Sequence, residues 1–253
     1  MTFGNSSRNC LRSSFVISPP LWHALLLKAG RPGARIDSGG ASVSPEPVVA
    51  ERAYLLLKAD IMAGRWAPGI LLIERGLAAE YGVSVSPLRD AAQRLVGEHM
   101  LEIAAGGGYR IPVQTQDMLR SLYRWHSHLV RLIMKAMRPD ALPRPPISSL
   151  IGTTSLPQAT TNLFLTLADA CEDPEHTRAL KSATERLHQA RLGEAQIMRN
   201  LTQELQMVEV ATISGRDHDR FEVLWAYHRR RIRRVDRIFE AISHLPNQYT
   251  SIG

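Results

Sequence analysis

The stretch GVSVSPLRDAAQRL (82–95) holds Ser84, Ser86, Arg89 and Gln93 within ten residues. Arginine and glutamine are the side chains whose donors and acceptors match the edges of guanine and adenine. Small hydroxyl residues at the start of a helix, beside free backbone N–H groups, suit a phosphate. A second set of candidates lies towards the C-terminus. His228 precedes Arg229, Arg230, Arg231, Arg233, Arg234 and Arg237. Such a run is either a solvated face, an attraction for a polyanion, or a way to hold an acidic ligand.

For the first set to act together, one helix must present it. Leu88, Ala91, Ala92, Leu95 and Val96 recur at helical spacing and form one apolar stripe. Ser86, Arg89, Asp90, Gln93, Arg94 and Gly97 then take the opposite face. Ser84 or Ser86 serves as the N-cap, and Pro87 fits the first turn. Upstream, Val49, Tyr54, Leu57 and Ile61 share one side of a helix that Gly64 stops. GRWAPG (64–69) is a turn, ILLI (70–73) a small edge strand, and 74–81 a second helix closed by Gly82. Downstream, LEIAAGGGYRIPV (101–113) reads as a hairpin with a glycine tip. Helix, short strand, helix, helix, hairpin is the order of a winged helix-turn-helix.

Beyond residue 114 helical periodicity takes over. Residues 116–138 form an amphipathic helix with Leu119, Leu122, Leu129, Ile133 and Met137 inward. A proline-rich connection (138–158) leads to helices around 159–171, 176–198 and 199–213, and to a last long one over about 217–243. In that last helix Phe221, Trp225, His228, Ile232, Val235, Phe239 and Ile242 alternate four and three apart, which predicts a buried seam. A histidine in such a seam is a hydrogen-bonded core residue before it is a ligand, and the arginines lie mostly off it. The expected fold is mainly α: an N-terminal winged helix-turn-helix with a small β-hairpin wing, then an all-α helical bundle. The expected domains are a disordered tail (1–46), the winged domain (47–113) and an effector-binding, dimerising helical domain (114–250).

The chain of 253 residues carries a net charge of +7, which favours an anionic partner. Lys and Arg outnumber Asp and Glu 5 to 2 in residues 1–46 and 19 to 15 in 114–253, but tie at 7 each in 47–113. Any polyanion site in the winged segment therefore depends on how charges are sorted onto faces. The two cysteines, Cys10 and Cys171, form no CxxC pair, which excludes a disulfide framework or a cysteine zinc site and favours a reducing, cytoplasmic setting. No apolar run reaches the roughly 18 residues of a membrane span. Residues 1–36 have five basic residues, no acid and several serines, a composition shared by transit peptides and disordered tails.

Residues 50–113 resemble the DNA-binding domain of GntR-type bacterial transcriptional regulators. The similarity rests on GRWAPG followed by LLIERGLAAEYGVS, on SPLRDAAQRLVGEHML and on GGGYRIPV, in the family's order. It implies a homodimer on double-stranded operator half-sites. It also implies DNA contacts from Arg75, from the turn hydroxyl Ser84, from Arg89 in PLRD, and from Gly107 and Gly108 at the wing tip. Ser86 and Gln93 join these by their place on the helix. One departure stands out: Val85 occupies the position where the family usually has arginine, so affinity or sequence preference should differ from the family's norm.

Residues 115–243 are more distantly similar to the all-α effector domain of FadR-type (FCD) regulators, through NLFLTLADACEDPEHTRALKSATERLHQAR (162–191) and GRDHDRFEVLWAYHRRRIR (215–233). His126 and Val130 stand where the first helix of that family usually has Arg and Glu. The family's metal site, one Asp and three His, falls here on Thr161, Leu165, Gln206 and His228. Only His228 survives, so no metal and no cofactor are expected. A small organic effector, acidic in character, is expected beside His228 and His126, with an arginine supplying the charge. HExxH, GxSxG and phosphate-loop motifs are absent, and the glycines of AAGGGYR open no helix, which argues against an enzyme. The competing reading is a winged-helix protein-interaction module that has lost specific DNA binding, for which Val85 is the main support.

Overall fold

The structure is a computed structural model and describes residues 45–137, 154–214 and 217–244. The tail assigned to 1–46, save its last two residues, lies outside that range, as do residues 138–153 of the proline-rich connection.

The winged domain runs α1 (Pro45–Met62), β1 (Leu71–Leu72), α2 (Glu74–Tyr81), α3 (Val85–Gly97), β2 (Glu102–Ile103) and β3 (Tyr109–Arg110). Its core is α1 on α3, where Ala53, Leu57 and Ile61 meet the Leu88, Ala91, Ala92 and Leu95 stripe, all buried. The three strands form an antiparallel sheet in the order β1-β3-β2, with Arg110 opposite both Leu71 and Glu102. The sheet closes tightly at Gly108, whose φ is 76° and where a Cβ would sit 2.9 Å from the Leu72 carbonyl oxygen. Only glycine combines that backbone with that approach.

The helical domain comprises α4 (Gln116–Ala136), α5 (Leu156–Asp169), α6 (Pro174–Arg186), α7 (His188–Ile197), α8 (Leu201–Ser214), α9 (Asp217–Ile232) and α10 (Val235–Ser243). Thr115 caps α4 by accepting from the Met118 amide, and Asp173 caps α6 by accepting from the Glu175 and His176 amides. Leu119, Tyr123, Ile133, Phe164, Leu167, Leu180, Val235 and Ile238 form a core shared by α4, α5, α6 and α10. Gly193 lets α7 press against α10: a Cβ there would lie 3.0 Å from the Ile238 carbonyl oxygen.

Four expectations change. The helix read over 176–198 is two, broken at Leu187, and the helix read over 217–243 is two, broken at Arg233–Arg234. Apolar spacing continues through both breaks, so periodicity could not reveal them. Helix α5 starts at Leu156, before the expected 159, because Ser155 caps it and Pro157 fits its first turn. The seam of α9 is also rotated. Trp225 is 43% exposed, and Phe221, Ile232, Phe239 and Ile242 are half-buried, while Leu224, Tyr227, His228 and Arg231 face the core. An arginine fits that position because its guanidinium stacks 3.4 Å from the centre of the Tyr227 ring and its charge is matched by two glutamates.

Helix α6 also meets the winged domain. Lys58 Nζ on α1 lies 2.8 Å from Glu185 and 2.9 Å from Glu98. Burial alone would lower the Lys58 pKa, but the hydrogen bond and charge of Glu185 raise it, so the ammonium is retained. Gln189 Nε2 donates to the Ile61 carbonyl at 2.9 Å.

Candidate nucleic-acid interface and buried polar network

Helix α3 opens at Ser84, whose backbone is extended at the N-cap and whose hydroxyl makes no capping bond. The first amides of α3 and both hydroxyls, Ser84 and Ser86, are thus open to solvent at the positive end of the helix. Val85 is half-buried in the first turn. Arg89 is exposed and lies across to α2, where its Nη2 sits 2.8 Å from Glu74. Gln93 is exposed too, and its Nε2 donates to the Tyr109 hydroxyl of β3 at 3.1 Å. Arg75 on α2 is exposed, with no ion pair among the described residues. Gly107 is exposed and Gly108 half-exposed at the wing tip.

The fold thus gathers the outward face of α3, the start of α2 and the wing. Glu74 and Tyr109 join the set, although sequence reasoning passed over both. Spacing along a single helix could not show that Arg89 and Gln93 each lean on a different neighbouring element.

The scan against known families matches "Bacterial regulatory proteins, gntR family" to residues 49–111. Residues 49–111 are a GntR-family domain. The chain is 31% identical over 91 residues to the HTH-type transcriptional regulator BphR of Paraburkholderia xenovorans, and 30% over 90 residues to McbR of Escherichia coli. Each match covers 34% of this chain, and 37% and 41% of those proteins' own lengths. Two solved structures share the fold more widely. A GntR transcriptional regulator of a Rhodococcus species superposes with a TM-score of 0.61 at 15% identity, covering 74% of this chain and 96% of its own. E. coli McbR superposes with a TM-score of 0.58 at 19% identity, covering 78% and 100%. The winged N-terminal domain and the helical C-terminal domain are therefore a combination that occurs together elsewhere.

The helical domain beside the GntR domain holds a different kind of site. His126 on α4 and His228 on α9 are buried and bonded to each other, Nδ1 to Nε2, at 2.8 Å. The proton positions follow from the acceptors. The Leu224 carbonyl can only accept, so His228 donates to it from Nδ1 at 2.7 Å and presents a bare Nε2. His126 must then donate from Nδ1, which leaves its own Nε2 to accept from the Thr184 hydroxyl at 3.1 Å. Both imidazoles are neutral in this chain. Burial pushes the His228 pKa down to about 3 and takes that of His126 well below its ordinary value, aided by nearby cations.

The residues aligned with a metal site differ in burial. Thr161 is buried on α5, Leu165 half-buried, and Gln206 exposed on α8. Among the described residues no group of three or more His, Cys, Asp or Glu is placed to hold an ion.

Two arginines complete the network. Every nitrogen of Arg231 has a partner: Nε lies 2.9 Å from Glu194, Nη2 lies 2.9 Å from Glu204, and Nη1 donates to the Tyr227 carbonyl. The other oxygen of Glu194 accepts from Tyr123 at 2.6 Å. Arg191 on α7 is 2% exposed and differs. Its Nη1 donates to Thr161 Oγ1 at 2.8 Å and to the Thr184 carbonyl at 2.7 Å. Thr161 Oγ1 also lies 2.7 Å from Nδ1 of the buried His188. Arg191, Thr184, His188 and Glu194 were all missed by the sequence reading, for they are polar residues at inward positions of helices judged by their apolar ones; Thr161 was singled out only by its alignment with a metal site. His126 and His228 do not line the cleft that Arg191 borders.

Proposed function

We propose that the chain is a ligand-responsive, DNA-binding transcriptional regulator of the GntR type. It binds double-stranded operator DNA as a homodimer in the cytoplasm, with an FCD-like effector domain and no enzymatic activity of its own. The observation that carries this reading is the face on which Ser84, Ser86, Arg89 and Gln93 stand beside Arg75 and the wing. Helix α3 enters the major groove, the start of α3 takes a phosphate, and Gly107 and Gly108 bring the wing close to the backbone. Two such faces, held one helical turn apart by the helical domains, read a two-fold operator. The effector is a small organic molecule bound within the helical domain.

A gel-shift titration with the DNA flanking the chain's own gene tests the reading. Arg89→Ala should weaken specific binding about tenfold or more at matched salt. Unchanged binding removes Arg89 from the interface. The second reading, a winged module that binds protein instead, draws on Val85. Under the regulator reading, Val85→Arg adds a cation at the start of α3 and tightens binding. If neither wild type nor Val85→Arg binds any flanking DNA above competitor, the second reading replaces the first.

A further inference from the structure

We propose that Tyr109 is a positioning residue that turns the Gln93 amide oxygen outward, and that Gln93 thereby reads the amino group of adenine or cytosine in the major groove. This rests on the regulator reading. It names one base preference of that same face and the wing residue that sets it.

The brace comes from the wing. Tyr109 is 5% exposed and stands, in the register of the sheet, opposite the buried Leu72 on one side and Ile103 on the other. Gly108, just before it, closes on the Leu72 carbonyl and fixes the strand at that point. The Tyr109 hydroxyl reaches α3, where it accepts from Gln93 Nε2 at 3.1 Å. Burial raises the Tyr109 pKa, so the phenol stays neutral. Gln93 itself is exposed and shares one face of α3 with Ser86 and Arg89, both also exposed.

A loose glutamine is a poor reader of bases. Half a turn of its amide swaps an acceptor for a donor, so it can meet adenine N6, cytosine N4, guanine O6 or thymine O4 alike. Committing the nitrogen to Tyr109 removes that freedom. The carbonyl oxygen then faces the groove and needs a donor. Adenine N6 and cytosine N4 supply one there, whereas guanine O6 and thymine O4 set acceptor against acceptor. The second hydrogen of Nε2 is left for adenine N7, which places adenine first and cytosine second.

Arg89 is braced in the same way from the opposite side. Its Nε and Nη2 are bonded to Glu74 of α2, which leaves Nη1 with no protein partner among the described residues. Both side chains therefore meet DNA with their orientation already set, and less ordering cost falls on binding. Tyr109 ties the third turn of α3 to the wing, so the two elements approach the duplex as one piece.

Selection of binding sites from a random duplex pool by the full chain, then titration of every single-base variant of the best site, tests this. One position per half-site should favour adenine or cytosine over guanine and thymine by about tenfold or more. Gln93→Ala should flatten that position alone. Tyr109→Phe keeps the ring and removes the hydroxyl. It should still bind the best site but lose most of the discrimination at the Gln93 position, which a residue that only packs the wing would leave untouched. In the free chain the Gln93 side-chain amide resonances should shift in Tyr109→Phe, which checks the brace without DNA. If Tyr109→Phe fails to fold, Gln93→Ala, altered at an exposed side chain, still decides which base is read. Three results would each overturn the proposal and leave the regulator reading in place: a guanine or thymine preference at the Gln93-dependent position, no position that depends on Gln93, or discrimination or resonances unchanged in Tyr109→Phe. A pool with no enriched sequence would defeat the regulator reading and the base reading together.

Discussion

The two domains treat their polar side chains in opposite ways. In the winged domain Arg89, Gln93, Arg75 and Ser86 are exposed, and the ion pair they include, Arg89 with Glu74, is open to water on the arginine side. In the helical domain His126, His228, Thr184, Arg191, Arg231 and Glu194 are buried, and nearly every donor meets an acceptor. Exposed polar groups exchange water for a partner at little cost, so they are suited to reversible binding of a large polyanion. Buried ones hold the fold in place, because breaking one partnership strands the other group away from water. Substitutions in the first set should therefore move affinity and spare stability, and substitutions in the second should do the reverse.

The sharpest test is Arg231→Met. It preserves volume but leaves the buried Glu194 with only Tyr123 as a donor, and it takes from Glu204 one of its two cationic partners, the other being Arg230. A loss of about 3–5 kcal/mol in urea unfolding is expected. A loss below about 1 kcal/mol would mean that the guanidinium contributes packing alone and that the buried network does not hold the fold.

Acid should unfold the chain through the helical domain. The folded pKa values of His188 and His228 are pushed to about 3, and that of His126 is also lowered, by burial. Each value lies below the ordinary 6.5, so the unfolded chain binds the extra protons. The stability these histidines contribute is complete above about pH 7 and is lost as pH falls from there towards 3. Between pH 7.5 and 5.5 the loss should be about 1.4 kcal/mol per histidine, about 4 in sum. A flat profile over that range would show that these imidazoles already carry protons in the folded state.

How much of this was legible in the sequence follows the same division. The winged domain could be read because its candidate DNA-facing residues obey one local period: Leu88, Ala91 and Leu95 mark the inner face, and Arg89 and Gln93 fall outside it. The glycine-tipped hairpin likewise announced the wing. The helical domain hid its site because its polar core residues occupy apolar positions of helices far apart in sequence. His126 and His228 were both expected beside an effector, but they lie 102 residues apart and nothing in a linear pattern says that they bond to each other. Arg231 looked like one more arginine in a solvated run. The breaks at Leu187 and Arg233 carry neither glycine nor proline, so the usual stop signals were missing.

Lys58 lies between the two regimes and tests whether the domains are coupled. It is half surface residue and half core residue, joining Glu98 of its own domain to Glu185 of α6. Burial raises the Glu185 pKa despite Lys58, so removing the ammonium leaves an acid poorly solvated. Lys58→Met should cost about 1–3 kcal/mol. It should also split one unfolding transition into two, followed by tryptophan fluorescence and far-UV circular dichroism. Coincident transitions would mean that Gln189 and the apolar contacts couple the domains without the ion pair.

The smallest expected change in stability, and the one that isolates the winged domain, is Glu74→Gln. The pair with Arg89 is mostly wet on the arginine side, 58% of whose side chain is exposed, so the thermal midpoint should not move. Affinity should move. Glu74 stands where a phosphate or base edge must compete with it for Arg89, and its own negative charge faces an approaching backbone. Neutralising it removes both obstacles, so DNA binding should tighten a few-fold at low salt, with the gain fading as salt rises. Double substitution with Arg89→Ala separates the two causes. If competition for Arg89 dominates, the gain vanishes in the Arg89→Ala background; if repulsion dominates, it persists. Weaker binding by Glu74→Gln alone would give Glu74 a third role, holding Arg89 in the orientation that reads DNA, and the exposed pair would then constrain its partners as firmly as the buried ones do.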